Sequence, residues 1–265
     1  MNDGSSPVVD ITVPHSARVW NYWLGGKDFY PVDREFGDRL YELLPEIVQL
    51  ARQARAFLGR AVTYLAGEVG IRQFLDIGTG LPTADNTHEV AQRIGPDSRI
   101  VYVDHDPLVL VHARALLVGT PEGATNYVDA DVREPKKILK AARETLDFTQ
   151  PIGLIMLGIM GNVTDLDEAY AIVRELYDSL PSGSYLMFKD GTYAVMGKDR
   201  ADAIHRLNEH EKYPYHMRTP EQVARFLDGF ELVEPGLVST PLWRPGPSAE
   251  PPLPIDDLCG VGRKP

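Results

Sequence analysis

From residue 72 onward, short apolar runs alternate with helix-period segments, and that alternation leaves few architectures open to the chain. The strand candidates are RQFLDIG, RIVYVD, ATNYVDA, IGLIMLGI, SYLMF, FELVEPGLVS and LCGVGRK. PLVLVHARALL, KKILKAARETL and LDEAYAIVRELYDSL read as helices; the last places positions 166, 169, 170, 173, 176, 177 and 180 on one face. Strands apolar throughout are covered on both sides, so the pattern predicts a doubly wound α/β fold around a mainly parallel sheet. The proline-rich TPLWRPGPSAEPPLP predicts an extended loop between the last two strands.

Upstream, residues 1–13 read as a loose polar tail. PHSARVWNYWLGGKDFYPVDREFG then gathers Trp20, Tyr22, Trp23, Phe29 and Tyr30 around a Gly25-Gly26 hinge. Apolar positions from 40 to 65 keep the helical period, with Pro45 expected in the first turn of the main helix. The expected organisation is a tail, aromatic lid segment and helical extension over 1–69, followed by a ligand-binding α/β domain over 70–265.

Composition narrows the function. Lys and Arg number 27 against 38 Asp and Glu, and a net charge of −11 disfavours a phosphate-binding surface for nucleic acid. The single cysteine, Cys259, forms no internal disulfide, and no Cys/His spacing of a metal site occurs. The first residues lack the charge and apolar run of a signal peptide, and no run reaches the length of a membrane span. The expectation is a cytoplasmic protein.

The chemistry concentrates in FLDIGTGLPTAD. A parallel sheet binds ligands beyond its strand carboxyl ends, and Gly78 and Gly80 fall there, allowing a ligand to approach backbone closely. Asp104, at the end of IVYVD, follows Gly80 by 24 residues, near the spacing that brings a carboxylate to ribose hydroxyls. Asp131, in YVDADVRE, falls on the same sheet edge, where it can receive an exocyclic amine of adenine while Val132 packs on the base. A dinucleotide loop starts its helix at a third glycine; here LPT intervenes, and the helix-start signal comes later, at Asn86 with Glu89 three positions on.

The ordered set FLDIGTG, VYVDHDP, YVDADVRE, PIGLIMLGIM, LPSGSYLMFKD and GVGRKP resembles class I S-adenosylmethionine-dependent methyltransferases. PHSARVWNYWLGGKDFYPVDRE with DIGTGLPTADNTHEVAQ further resembles a bacterial family of S-adenosyl methyltransferases of unknown substrate. The resemblance implies S-adenosylmethionine as cofactor and a seven-stranded sheet with an antiparallel last strand. It implies Asp76, Gly78, Thr79 and Gly80 around the methionine part, Asp104 on ribose, His105 beside the base, and Asp131 with Val132 on adenine.

For the acceptor, GIMGNVTD places Asn162 near a strand end, but neither the Asn/Asp-Pro-Pro-aromatic motif of amino-methylating DNA enzymes nor a Pro-Cys nucleophile is present. Tyr22, Lys27, Tyr30, Asn162 and Asp190 are candidates for the lid or substrate pocket. Tyr213, Tyr215 and His216, in the loop before the last helix, are further candidates. These residues serve equally as caps and packing residues, and none is assigned as catalytic. The leading expectation is a methyltransferase for a small-molecule acceptor. An NAD(P)-dependent oxidoreductase and a non-catalytic S-adenosylmethionine-binding regulator are the alternatives.

Overall fold

The structure, a computed structural model, describes residues 9–116, 118–209, 211–247 and 251–265. Strands β1 (Gln73–Ile77), β2 (Arg99–Asp104), β3 (Ala124–Asp129), β4 (Gly153–Leu157) and β5 (Tyr185–Gly191) run parallel in the order β3-β2-β1-β4-β5. The order reverses between β1 and β4, which opens the switch-point crevice where such sheets bind ligands. Antiparallel to β5 lies β8 (Asp257–Arg263), whose other edge pairs with β6 (Glu231–Leu232) and β7 (Val238–Ser239). The doubly wound, mainly parallel sheet with its antiparallel last strand is therefore present.

One expected strand is broken. FELVEPGLVS forms two two-residue pieces, β6 and β7, that share the seventh position of the sheet. Pro235 has no N–H for the ladder and Gly236 turns at φ 87°, so the chain leaves β8 and rejoins it.

Alternate strand residues face opposite helix layers. Leu75 and Ile77 pack with α6 (Pro135–Ala142), α7 (Leu166–Ser179) and α9 (Pro220–Arg225) through Ile138, Leu139, Leu176 and Val223. Phe74, on the other face, packs with α3 (Ile47–Thr63) and α4 (Thr87–Ile94) through Phe57, Leu58 and Val90. Asp76, two positions after Phe74, shares its face, so its carboxyl looks toward α3 and α4.

The N-terminal region forms α1 (Ser16–Trp23), α2 (Pro31–Leu43) and α3. The single helix expected from the 40–65 periodicity is two, and Pro45 lies in the turn between them rather than in a first turn. The following proline drives Leu44 off helical angles, to φ −137° and ψ 77°. Val19, Trp23, Phe36, Leu40, Leu50 and Ile204 join these helices to α8 (Lys198–Asn208) in a core of their own. Among the described residues no helix is long and apolar enough to cross a membrane, and no His/Cys/Asp/Glu group is placed to hold a metal.

Candidate functional site

The glycine turn follows β1 directly. Gly78 and Gly80 take φ 74° and 68°, where a side chain is strained, and a Cβ on Gly78 would lie 2.8 Å from the Ile159 side chain. The turn's amides are engaged within the protein. Gly78 and Thr79 donate to Val103 O at 2.8 and 3.3 Å, and Gly80 donates to Asp104 Oδ2 at 2.9 Å. Asp104 Oδ1 accepts from His105 N and Asp106 N at 2.8 and 3.0 Å. Only 6% exposed, Asp104 is thus the clasp between β2 and the glycine turn rather than a solvated strand-end residue.

Beyond the turn, LPTAD forms the loop expected from the late helix start. Asn86 Oδ1 accepts from Thr83 N at 3.0 Å, and Glu89 accepts from Asn86 N at 2.7 Å, so α4 begins seven residues after Gly80.

Asp76 lies beneath this loop. Thr87 Oγ1 donates to its Oδ2 at 2.6 Å, and burial raises its pKa to about 6 against the Thr87 hydrogen bond and the charge of Arg55. Arg55, from α3, is anchored by Ala84 O and Asp85 O at 3.2 and 3.1 Å.

A cleft of about 990 Å³, part of it open to solvent, runs along these groups. It brings together six of the expected cofactor residues, Asp76, Gly78, Thr79, Gly80, Asp104 and His105. Asp131 and Val132 lie outside its lining. Asp131 is turned onto Arg133, at 3.3 Å, and Val132 is buried in the core. From the N-terminal helices come Ser16, Trp20, Asn21 and Arg55, of which sequence reasoning gave Arg55 no role. Its signal is faint: an arginine next to the buried stripe of Ala51, Ala54 and Leu58 on a long helix.

A second, mostly apolar chamber of about 880 Å³, part of it also open to solvent, adjoins the cleft. His15, Ser16, Trp20, Asn162 and Tyr215 belong to both linings and so form the wall between them. Of the substrate and lid candidates, only Asn162 and Tyr215 reach this wall, and Tyr213 lines the chamber alone. Tyr22 bonds Asp38 and packs edge-on against Phe29, Lys27 is exposed, and Tyr30 lies beneath the Arg18 guanidinium at 5.4 Å. Asp190 is buried behind the chamber wall, bonded by Tyr215 Oη and, at 2.7 Å, by Arg218; burial raises its carboxyl against the Arg218 charge.

Sequence reasoning also missed Lys189 and Asp257, both in the chamber lining. Lys189 Nζ lies 2.9 Å from Asp257 Oδ1, and burial raises the Asp257 pKa to about 7 against the Lys189 charge. A charge within the apolar strand SYLMF-KD and a double aspartate in IDDLCG are the signals that mark them.

Against known proteins, a profile of the S-adenosyl methyltransferase family matches residues 2–265. A DUF574 family protein from Streptomyces avermitilis is 43% identical, with TM-score 0.92 over 97% of this chain and 100% of that one. A putative methyltransferase from Thermobifida fusca is 40% identical, with TM-score 0.85 over 96% of each chain. The plantazolicin methyltransferase BpumL, solved with S-adenosylhomocysteine, shares the fold at 13% identity and TM-score 0.52 over 94% of this chain and 95% of its own. No curated protein matches the chain. Family, motif order and sheet displace the oxidoreductase and regulator readings, and the chain belongs to the S-adenosyl methyltransferase family as an S-adenosylmethionine-dependent enzyme.

Proposed function

We propose that the enzyme holds S-adenosylmethionine in the glycine-turn cleft and methylates a small molecule presented through the wall shared with the apolar chamber. The observation that carries this reading is the charge set of the cleft. Asp76 and Asp104 supply two buried carboxylates and Arg55 one guanidinium, around a turn whose Gly78, Thr79 and Gly80 amides are all engaged. That set fits an amino-acid tail and a sulfonium, which together carry two positive charges and one negative. A pyrophosphate would meet two carboxylates, no open amide on those three residues and a helix start seven residues away.

In this reading Asp104 receives ribose hydroxyls, His105 flanks the base, Asp76 faces the ammonium and Arg55 the carboxylate, with Gly78, Thr79 and Gly80 giving close approach. Asp131 and Val132 enter it only through movement of the β3–α6 loop. The cofactor, when bound, supplies an electrophilic methyl on a sulfonium that leaves as a neutral thioether. The chain's part is to align the acceptor and exclude water, for which α1 covers both cavities. Residues 1–69 then serve as a lid-bearing extension hinged near Gly25, with Tyr22, Lys27 and Tyr30 beside the hinge, on a cofactor domain over 70–265. The −11 net charge supports a small acceptor over nucleic acid.

Calorimetry tests the cofactor site. S-adenosylhomocysteine binds and NAD does not; Asp104→Ala weakens binding by about 1–3 kcal/mol, the cost of losing a charged hydrogen-bond partner. Arg55→Met weakens S-adenosylhomocysteine but leaves 5′-methylthioadenosine, which lacks the amino-acid tail, unchanged. Unaltered affinity in a folded Asp104→Ala protein removes Asp104 from the site.

A further inference from the structure

The chamber beside the cofactor cleft carries a chemical pattern of its own. Val19, Trp23, Phe36, Leu40, Leu50 and Ile204 make most of it apolar. Yet two polar atoms of residues in its lining are buried without a hydrogen-bond partner, His15 Nε2 and Asn162 Oδ1, and a third lining residue, Asp257, brings a carboxylate whose Oδ1 is paired with Lys189 Nζ at 2.9 Å. His15 and Asp257 are themselves more than nine-tenths buried, and His15 and Asn162 belong to the wall shared with the cleft.

Both open atoms are acceptors. His15 Nδ1 lies 2.9 Å from the Asp106 carboxylate, an approach that puts the proton of a neutral imidazole on Nδ1 and its lone pair on Nε2. The alternative, Nδ1 accepting from Ala17 N, spans 3.4 Å and is the weaker contact. Asp106 is available as the carboxylate: burial raises it, but His15, the Leu108 amide and Arg18 outweigh that and hold it below its usual value. Asn162 Nδ2 is turned to Ile159 O at 3.5 Å, which leaves Oδ1 as the open end. Asp257 is paired with Lys189, whose Nζ lies 4.9 Å from the centre of the Trp20 ring and 3.3 Å from where a Gly158 Cβ would be. Trp20 and Gly158 both line the cleft, so the ion pair sits where cleft and chamber meet. A hydrocarbon ligand would leave both acceptors desolvated and unpaired, each at a cost of the order of a lost hydrogen bond.

We propose that the chamber is the acceptor site for an apolar molecule with one protic head, a hydroxyl or an amine, and that Asp257 takes the head's proton. This rests on the reading that the glycine-turn cleft holds the cofactor. The acceptor's O or N lone pair forms the bond to the methyl carbon, the C–S electron pair stays with sulfur, and the O–H or N–H proton passes to the Asp257 carboxylate. Lys189, Asp190, Thr240 and Cys259 are the groups that face Asp257 in this step.

The test uses the full chain saturated with S-adenosylhomocysteine and three probes of one shape: 2-naphthol, 2-naphthylamine and naphthalene. At least one protic probe binds tenfold or more tightly than naphthalene, and Asn162→Leu and Asp257→Asn each remove that preference. With S-adenosylmethionine supplied, the preferred probe is the one methylated, which separates a hydroxyl from an amine acceptor, and Asp257→Asn lowers that rate at least tenfold. Leu40→Trp, which fills the chamber, abolishes probe binding while S-adenosylhomocysteine affinity stays unchanged. Equal binding of naphthalene, binding that survives Leu40→Trp, or no probe bound while S-adenosylhomocysteine binds each overturns the proposal. Failure of S-adenosylhomocysteine itself to bind overturns the cofactor reading instead, and this proposal with it.

Discussion

Asp76 is a buried acid whose proton affinity the fold has raised. With its folded pKa near 6 and an unfolded value near 4, the native state keeps a proton that the unfolded chain has released between those limits. Its favourable contribution is complete below pH 4 and lost as pH rises through 6; above that, the buried charge weakens the fold. Asp76→Asn therefore stabilises the protein at pH 8, by up to about 3 kcal/mol from the size of the shift, and by less at pH 5. Denaturant melts at the two pH values measure this, and a variant less stable at pH 8 than the natural protein refutes it. The same variant binds S-adenosylhomocysteine more weakly, the usual trade between a site and stability. A strand followed by two glycines and an acid 24 residues on is enough to bring Gly78, Gly80 and Asp104 to one sheet edge, whereas Asp76 enters only through the family resemblance. What Asp104 does to the turn was not legible in the sequence, since spacing locates a carboxylate without showing which amides it takes.

At the level of elements, one buried arginine holds the N-terminal helices to the sheet domain. Arg18, 2% exposed, reaches Val13 O at 2.8 Å and Asp10 O at 3.0 Å, and lies 3.3 Å from Asp33 on α2 and 4.0 Å from Asp106 after β2. Removing it takes the shared cation from two buried carboxylates, Asp33 and Asp106. Arg18→Leu is expected to destabilise by about 3–5 kcal/mol, the range for breaking a buried ionic cluster, in urea unfolding. A loss below 1 kcal/mol would show the cluster to be incidental. Sequence periodicity could not find this arrangement, because the partners of Arg18 are up to 88 positions away and helical spacing reports only near neighbours. Where local chemistry decides, the sequence was informative: Asn86 and Glu89 start α4 as their spacing requires. Where two local signals compete, it was not. Pro45 divided a continuous apolar stripe by driving Leu44 off helical angles, and Pro235, with no N–H for the ladder, divided a strand.

At the scale of the whole molecule, two cavities share one sheet edge, with α1 built into both. The alternation from residue 72 was enough to give a mainly parallel sheet and its helix layers, since both follow from burying strands on two faces, while the antiparallel last strand came from the family resemblance. The chamber was not readable in the same way: its lining draws on α1, α2, α3, β5, α8 and β8, and only folding brings them together. The chain's three tryptophans are distributed over this geometry in three different ways. Trp20 stands in the wall common to both cavities, Trp23 faces the chamber alone, and Trp243 is sealed against Phe57, outside both. The enzyme's own ultraviolet emission can therefore tell which cavity is filled. S-adenosylhomocysteine will alter the light from Trp20, and a chamber ligand will alter that from Trp20 and Trp23 together. Trp20→Phe will silence the first signal and spare part of the second, while Trp243 supplies a constant background. An unchanged S-adenosylhomocysteine response in Trp20→Phe would place the cofactor elsewhere.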